Sequence, residues 1–241
     1  MMRRRRGNIG GMTTTLITNE LDLLEALVPL AQSRLVEVGC GAALLARELL
    51  GRHATAEVVG IEVDERQLAK NRSNPAERLR FERAAAQAIP FGDASFDGAL
   101  MLKSLHHVPV ADMDRALAEV LRVLRPGGWL YVSEPVYAGE LNELVRLFND
   151  EGAVRAAAQA SLDRAVASGR WTSSADRRFD TPVRFADFEE FEQRMMRPTF
   201  ADHGIDAAMV DRVRSRYMRH QGADGARFIR PMRVRLLRKA C

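Results

Sequence analysis

The sequence has few of the residues that cross-link small secreted or metal-dependent proteins. Two of its 241 residues are cysteines, Cys40 and the terminal Cys241. Two cysteines placed so far apart form neither a disulfide framework nor a metal-ligand motif. Because 46% of the residues are hydrophobic, the chain can bury a core without cross-links. We therefore expect a reducing, cytoplasmic location.

Long hydrophobic runs are also lacking. The chain contains no uninterrupted apolar stretch of about 18 residues, so we expect no membrane-spanning helix. The basic start MMRRRRG resembles that of a signal peptide, but the apolar segment that should follow is missing. Residues 1–17 are therefore predicted to form a disordered or extended tail.

The net charge is small but unevenly distributed. The formal charge of +4 equals the contribution of Arg3–Arg6. Residues 212–241 hold ten Lys or Arg residues against one acid, Asp224. A basic C-terminal segment of this kind can bind RNA or an acidic protein. A charge run is more often a solvated face, and we expect no nucleic-acid partner.

Strand-like and helix-like segments alternate through the first half of the chain. Apolar segments rich in β-branched residues predict five strands, at 35–39, 57–63, 79–84, 96–104 and 129–135. Helical spacing predicts helices at 18–30, 43–50, 64–72 and 111–124. Strands that alternate with helices are typical of an α/β fold, in which helices cover both faces of a mostly parallel sheet.

The second half of the chain loses this regular alternation. Helices are predicted at 138–169, 186–196 and 206–219, and strands at 177–185 and 226–238. We therefore predict a Rossmann-like core at 18–137, a helical insertion or lid with a substrate region at 138–225, and a C-terminal strand at 226–241. This last strand would complete a doubly wound sheet of seven strands.

The segment LVEVGCGAALLARELL, residues 35–50, predicts a strand, a tight turn and a helix. Gly39 and Gly41 allow a sharp turn and a close approach of a ligand to the backbone. A dinucleotide-binding turn carries a third glycine, but Leu44 stands there. Glu62, at the end of the second predicted strand, has the spacing of an acid that binds ribose hydroxyls. These features alone fit both NAD and S-adenosylmethionine.

Later motifs decide between these two ligands. The segments EVGCG, GIEVD, AIPFGDASFDGAL, LHHV and LAEVLRVLRPGGWLYVSEP occur in the order that is typical of class I S-adenosylmethionine-dependent methyltransferases. The chain is most similar to the small-molecule branch that includes the ubiquinone and menaquinone biosynthesis methyltransferases. The resemblance covers about residues 35–135. It implies S-adenosylmethionine as the cofactor, and it disfavours an NAD(P) oxidoreductase.

The resemblance implies cofactor contacts at matching positions. These are Glu37 near the amino group of the methionine moiety, Gly39, Cys40 and Gly41 behind the cofactor, Glu62 and Val63 at the ribose, and Lys103 at the methionine end. Family members usually carry an Asp that binds the adenine amino group, but Ala85 stands at that position here. We expect backbone groups of Ala85 and Ala86, or the amide of Gln87, to take its place.

Two adjacent histidines follow the fourth predicted strand. His106 and His107 are candidates for a general base, because histidine titrates near neutral pH. Alternatively, one of them packs under the loop. His107 and Tyr137 are the candidate contacts of the methyl acceptor. No third ligand stands at a recognisable spacing from the histidines, so no metal site is predicted.

The acceptor is predicted to be a small molecule. Two alternatives remain open at this point. The basic C-terminal region could direct the activity to RNA or protein, and the loss of the usual Asp at Ala85 would also fit a non-catalytic cofactor-binding protein. The sequence leaves the oligomeric state open, with a homodimer as one option.

Overall fold

The computed structural model describes residues 15–197 and 204–240. The chain divides into two compact units. Of the described residues, the larger unit comprises 20–134, 153–177 and 234–240, and the smaller unit comprises 15–19, 135–152, 178–197 and 204–233.

The described residues form nine strands and eight α-helices. In chain order they are β1 (Thr15–Leu16), α1 (Glu20–Leu27), β2 (Arg34–Val38), α2 (Leu44–Arg52), β3 (Glu57–Glu62), α3 (Glu65–Ser73), β4 (Leu79–Arg83), β5 (Phe96–Leu102), α4 (Met113–Val123), β6 (Leu124–Pro135), α5 (Glu140–Val145), α6 (Gly152–Ala167), β7 (Trp171–Phe185), α7 (Phe188–Phe191), α8 (Ala207–Tyr217), β8 (Gln221–Gly222) and β9 (Gly225–Lys239). Short 3-10 turns cover Leu105–His107 and Val110–Asp112, and a π-helical turn covers Glu192–Met196.

The larger unit contains a mostly parallel sheet. Its strands, with the parts of β7 and β9 that lie in this unit, follow the order β7-β9-β6-β5-β2-β3-β4. The described residues form nine strands in all, and not the seven that the sequence predicts. Strand β2 pairs in parallel with β3 on one side and with β5 on the other. The chain therefore proceeds from β2 through β3 and β4 toward one edge of the sheet, and β5 then lies on the other side of β2. The carboxyl ends of strands beside such a switch are where ligands bind in open α/β sheets.

The core of the larger unit is built from the apolar strands and the helix faces that cover them. Helix α4 buries Met113, Leu117, Val120 and Leu121, which recur every three or four residues and so share one face. The side chains of Val36, Ile61 and Leu130 belong to the same core cluster. The predicted α/β architecture is thus confirmed.

Strand β6 begins earlier than the sequence predicts. Helix α4 ends at Val123 and the strand starts directly at Leu124, so the PGG segment lies inside the strand and not in a separate turn. Leu124 pairs with Phe96, and the register then shifts between Phe96 and Gly98. The PGG segment is accommodated as an irregularity in the pairing of β5 with β6.

The smaller unit has a separate, aromatic core. Phe185, Phe188, Phe191, Tyr217 and Phe228 are buried together, and their rings meet mainly edge-to-face or tilted. Strand β1 pairs in parallel with β7, and β8 pairs in antiparallel fashion with β9. Of the predicted N-terminal tail, residues 15–16 are thus in a strand, and residues 1–14 lie outside the described residues.

The region predicted as a helical insertion, residues 138–225, is not helical throughout. It contains β7, which runs for 15 residues and begins six residues before the predicted strand. In the first part of β7 the buried residues are Trp171, Ala175 and Phe179, four positions apart. The usual alternation of a half-buried strand is therefore missing, and the sequence gives no clear strand signal there. Among the described residues, no helix is long and apolar enough to cross a membrane.

Candidate functional site

The glycine turn lies at the carboxyl ends of β2 and β3. The backbone N–H groups of Gly39 and Cys40 both donate to the carbonyl of Ile61, at 2.9 and 3.0 Å. The N–H of Gly41 donates to Oε2 of Glu62 at 2.8 Å. The turn after β2 is therefore fastened to the last two residues of β3, which brings the two predicted motifs together.

The two glycines of this turn have different roles. Both have positive φ angles, +69° at Gly39 and +50° at Gly41. A Cβ atom on Gly39 would lie 2.8 Å from Cβ of Ser104, so the protein itself needs a glycine there. A Cβ atom on Gly41 would meet no atom within 4 Å. The space beside the backbone of Gly41 is therefore open, and contact with a ligand there stays a prediction.

Backbone groups hold the carboxylate of Glu62 in a fixed orientation. Its Oε1 accepts hydrogen bonds from the N–H groups of Val63 and Asp64, at 2.8 and 3.0 Å, and its Oε2 accepts that of Gly41. A carboxylate offers about four acceptor positions, so roughly one remains for a ligand hydroxyl. The side chain of Val63 beside it is 59% exposed. Asp64 caps α3 by accepting the N–H of Arg66 at 2.9 Å.

Glu37 is a buried acid, and one of its two carboxylate oxygens has no hydrogen-bond donor among the described residues. It is 3% exposed, and no described residue forms a hydrogen bond with its Oε2. Burial raises the pKa of Glu37 to about 8, the positive charge of Lys103 opposes this shift, and the negative charges of Glu20 and Glu62 add to it. An unsatisfied buried carboxyl oxygen is costly, so a ligand with N–H donors would be favoured beside it.

Lys103 stands at the end of β5 in an unusual backbone conformation. Its φ angle is +56°, and its N–H donates to the carbonyl of Ser133 at 2.7 Å. Its Nζ lies 3.8 Å from Oε2 of Glu20, whose Oε1 accepts the hydroxyl of Tyr131 at 3.2 Å. Sequence reasoning missed Glu20. An acid in the first turn of a helix is common for electrostatic reasons alone, so its position carried no specific signal.

His106 is held in the interior by an acid on the neighbouring strand. Its Nδ1 bonds to Oε2 of Glu134, and Oε1 of Glu134 accepts the N–H of Leu105 at 2.9 Å. His106 is 5% exposed and Glu134 is 2% exposed. Sequence reasoning did not single out Glu134. An acid inside the apolar strand WLYVSEP was the available signal, because buried acids are rare unless they are paired.

His107, by contrast, is exposed. Its ring centroid lies 4.0 Å from that of His106, with the two rings tilted by 43°. Ser104, at the start of the same segment, donates its hydroxyl to the carbonyl of Val38 at 2.7 Å. The segment after β5 is thus anchored by Ser104 and His106, and it presents His107 outward.

The segment after β4 occupies the position at which the family usually carries its adenine-binding Asp. The N–H of Ala84 donates to the carbonyl of Glu62 at 3.3 Å. Ala85, Ala86 and Gln87 follow and are half-buried. The Gln87 amide donates to Oδ2 of Asp112, at the long distance of 3.5 Å. This segment therefore adjoins the strand end that carries Glu62.

The PFGDASFD motif is explained by a structural contact. The guanidinium of Arg122, on α4, donates to the carbonyls of Phe91 and Ile89 at 2.8 and 2.9 Å. It also pairs with Asp93 and Glu119, at 2.9 and 2.8 Å. The motif thus forms a loop that α4 fastens in place, which accounts for its occurrence together with LRVLRPGG.

Tyr137 lies in the smaller unit. Its hydroxyl donates to Oδ1 of Asp150 at 2.8 Å, and this hydrogen bond raises the pKa of Tyr137. The same carboxylate oxygen accepts the N–H of Gly152 at 3.0 Å. The ring is 38% exposed.

Comparisons with known proteins find similarity to methyltransferases over part of the chain. A family model described as a methyltransferase domain matches residues 36–132. The O-methyltransferase cnsE of Penicillium expansum is 38% identical over 115 residues, which are 46% of this chain and 41% of that protein. The 27-O-demethylrifamycin SV methyltransferase of Amycolatopsis mediterranei is 40% identical over 126 residues, which are 48% of this chain and 44% of that protein.

A solved structure extends the likeness in fold. The YcgJ protein of Bacillus subtilis superposes with a TM-score of 0.62, covering 92% of this chain and 98% of that one, at 18% identity. At that identity the likeness establishes the fold and nothing more. The chain spans less than half the length of these two relatives. Residues 36–132, which the family model matches, contain the glycine turn, Glu62 and the histidine segment.

Proposed function

We propose that this chain, whose residues 36–132 match the methyltransferase domain family, transfers a methyl group from S-adenosylmethionine to a small molecule. The observation that carries the proposal is the polar arrangement at the ends of β2 and β3. Glu37 has an unpartnered buried oxygen, Gly41 leaves open space, and the Glu62 carboxylate is fixed by three backbone donors. These groups match the ammonium and the ribose of the cofactor in chemistry.

The chain's own residues divide the binding work. Glu37 accepts hydrogen bonds from the ammonium group, and Lys103 supplies a positive charge for the carboxylate of the amino-acid end. Glu62 binds the ribose, and Gly39, Cys40 and Gly41 form the backbone surface behind it. Val63 offers an exposed apolar side chain next to the ribose acid, on which an adenine ring can pack.

Adenine recognition is assigned to the segment after β4. Backbone groups of Ala85 and Ala86 would bind the ring edge, together with the amide of Gln87. The contact of Gln87 with Asp112 is long, at 3.5 Å, so the amide can exchange it for a hydrogen bond to the ligand. This assignment replaces the carboxylate that the family usually places there.

The acceptor is assigned to the open side of the histidine segment. When bound, S-adenosylmethionine supplies a methyl group that its sulfonium has already activated. The chain has to hold the acceptor in line with that methyl group and accept the proton that the acceptor loses. We assign this proton to exposed His107. His106, which Glu134 holds through Nδ1, anchors the segment and remains the second candidate for the base.

A hydroxyl group is the proposed site of methylation. Of the two relatives described above, one is named an O-methyltransferase and the other is named for an O-demethylated substrate. A hydroxyl loses a proton when it is methylated, which suits a neutral imidazole. Tyr137 is proposed to contact the acceptor through its exposed ring. We propose no nucleic-acid partner; a homodimer and a cytoplasmic location stay predictions of the sequence.

The test is a methyl-transfer assay that measures S-adenosylhomocysteine release with a panel of hydroxylated metabolites. We expect turnover with at least one hydroxylated compound and a kcat lowered by about 100-fold in His107→Gln, with unchanged affinity for S-adenosylhomocysteine. His106→Gln is the matched variant. We expect it to lower the melting temperature in addition to kcat. Turnover with RNA or protein alone would contradict the small-molecule assignment.

A further inference from the structure

Asn71 lies beneath the glycine turn and has no role in the binding scheme above. We propose that it is a positioning residue for the cofactor: its side-chain amide fixes the peptide group of Gly41 and, through it, the hydrogen bond from Gly41 to Glu62. The inference rests on the proposed function, because it assumes that this turn binds S-adenosylmethionine. It adds a residue on α3 that touches neither cofactor nor acceptor.

The geometry of the Asn71 side chain is well defined. Nδ2 donates to the carbonyl of Gly41 at 2.7 Å, and the residue is 3% exposed. One turn earlier on α3, Nε2 of Gln67 donates to Oδ1 of Asn71 at 3.0 Å. Since Oδ1 accepts from Gln67, the donor Nδ2 must face the glycine turn. The sulfur of Cys40 also lies 3.9 Å from Nδ2.

Gly41 needs such a restraint because a glycine has no side chain that could pack and fix its backbone. A glycine with positive φ has many accessible backbone conformations, and no atom would pack against a Cβ at this position. The structure holds its peptide groups from two sides, with the N–H bonded to Glu62 and the carbonyl bonded to Asn71. Loss of the second bond would allow the turn to rotate and would remove one of the three donors that orient Glu62.

The charged and titratable groups around the contact between Asn71 and Gly41 lie on the glycine turn, on β2, at the end of β3 and on α2. Cys40 stands on the turn, and burial raises the pKa of its thiol, so it stays neutral in the range tested below. The charges that act on Cys40 are those of Glu37 on β2, Glu62 at the end of β3 and Arg47 on α2. All of them are present in both the wild type and the variants, so the comparison isolates the amide.

Asn71→Asp is the sharpest test, because it keeps the shape and replaces the donor by a carboxylate oxygen. At about pH 8 this oxygen would face the carbonyl of Gly41, and we expect the Kd for S-adenosylhomocysteine to rise at least about tenfold. Because position 71 is buried, the pKa of the introduced carboxyl group should be raised. At about pH 5.5 this group therefore becomes partly protonated and can donate again. The ratio of variant to wild-type Kd should then fall to within about threefold.

A role in folding alone would give a different result. Leu68→Ala removes a buried apolar side chain of α3 and keeps the amide of Asn71, so it is the control for a loosened helix. We expect it to lower the melting temperature with a change in Kd below about threefold. If Asn71→Asp does not fold, Asn71→Ala removes the same donor without adding a charge, and the same tenfold rise is expected.

The outcomes separate the inference from the function on which it rests. If the wild type does not bind S-adenosylhomocysteine, the proposed function fails first. If the wild type binds it and the folded Asn71 variants bind equally well, the positioning role of Asn71 is wrong. An equal rise in Kd for Asn71→Asp and Leu68→Ala, with no change in their ratio as the pH falls, would also contradict it.

Discussion

The backbone N–H of Gly41 donates a 2.8 Å hydrogen bond to Oε2 of Glu62, 21 residues later in the chain. The glycine turn after β2 and the acid at the end of β3 are therefore one hydrogen-bonded unit. Side chains from both flanks complete it, with Asn71 bonded to the carbonyl of Gly41 and Ser104 packed against Gly39.

Replacing Glu62 by Gln should weaken the binding of S-adenosylhomocysteine by about 1–3 kcal/mol, because an amide cannot accept all the bonds that the carboxylate accepts. Titration calorimetry on the wild type and the variant measures this loss. Glu65→Gln is the matched control, since it removes a nearby exposed acid that pairs with Arg83. Equal affinity for all three proteins would show that Glu62 does not bind the ribose.

Alanine at the two glycines should have different effects. Gly39→Ala meets both a positive φ and a contact of 2.8 Å with Ser104, whereas Gly41→Ala meets the positive φ alone. We expect Gly41→Ala to lower the free energy of unfolding by about 1 kcal/mol, and Gly39→Ala to lower it by more, on the order of 2–4 kcal/mol.

Denaturant titrations compare the two variants, and calorimetry then tests their affinity for S-adenosylhomocysteine. Gly41→Ala should fold but bind S-adenosylhomocysteine more weakly than the wild type does, because the added methyl group occupies the open space of the proposed site. A Gly41→Ala protein with wild-type affinity would mean that the ligand does not approach the turn there.

Glu37 should make the stability of the ligand-free protein depend on pH. Its folded-state pKa is raised from 4.5 to about 8, so the folded state binds this proton more tightly than the unfolded chain does. The stabilisation is fully present below about pH 4.5 and is lost as the pH rises toward about 8, at up to about 1.4 kcal/mol per pH unit.

Other groups titrate in the same range, so the measurement is a comparison with Glu37→Gln. Urea denaturation across this interval should show the wild type losing stability relative to the variant as the pH rises. Parallel curves would mean that Glu37 is not the buried acid described here. Cofactor binding should reverse part of the loss, because an ammonium group favours the ionised carboxylate.

Arg122 should be important for stability and not for cofactor binding. Arg122→Ala leaves the carbonyls of Ile89 and Phe91 without their donor, and we expect the free energy of unfolding to fall by roughly 2–3 kcal/mol. Arg125→Ala is a control on the same chain segment, since Arg125 forms a more exposed pair with Asp97. A large loss of cofactor affinity in a folded Arg122→Ala protein would contradict the structural role.

The sequence predicted those features that depend on local pattern. The first five strands of the larger unit and the apolar face of α4 follow from periodicity, and the glycine turn and Glu62 were both expected at the carboxyl ends of strands. The resemblance to class I S-adenosylmethionine-dependent methyltransferases is confirmed by the match over residues 36–132. Strand β7 was recognised only in its second part, because its buried residues do not alternate.

The residues that sequence reasoning missed act through contacts distant in the chain. Glu134 meets His106 across neighbouring strands, Glu20 reaches Tyr131 from α1, and Asn71 reaches the glycine turn from α3. Each is a polar residue in a segment already explained as strand or helix. Their partners are fixed by packing of the sheet and its helices, which no local pattern specifies.

The central claim is that the unit formed by Gly41 and Glu62 binds S-adenosylmethionine and not a dinucleotide. Titration calorimetry of the wild-type protein with S-adenosylmethionine, S-adenosylhomocysteine and NAD tests this most directly. We predict saturable binding of both S-adenosyl compounds and no binding of NAD. Binding of NAD without binding of either S-adenosyl compound, or no binding of any of the three, would contradict the account.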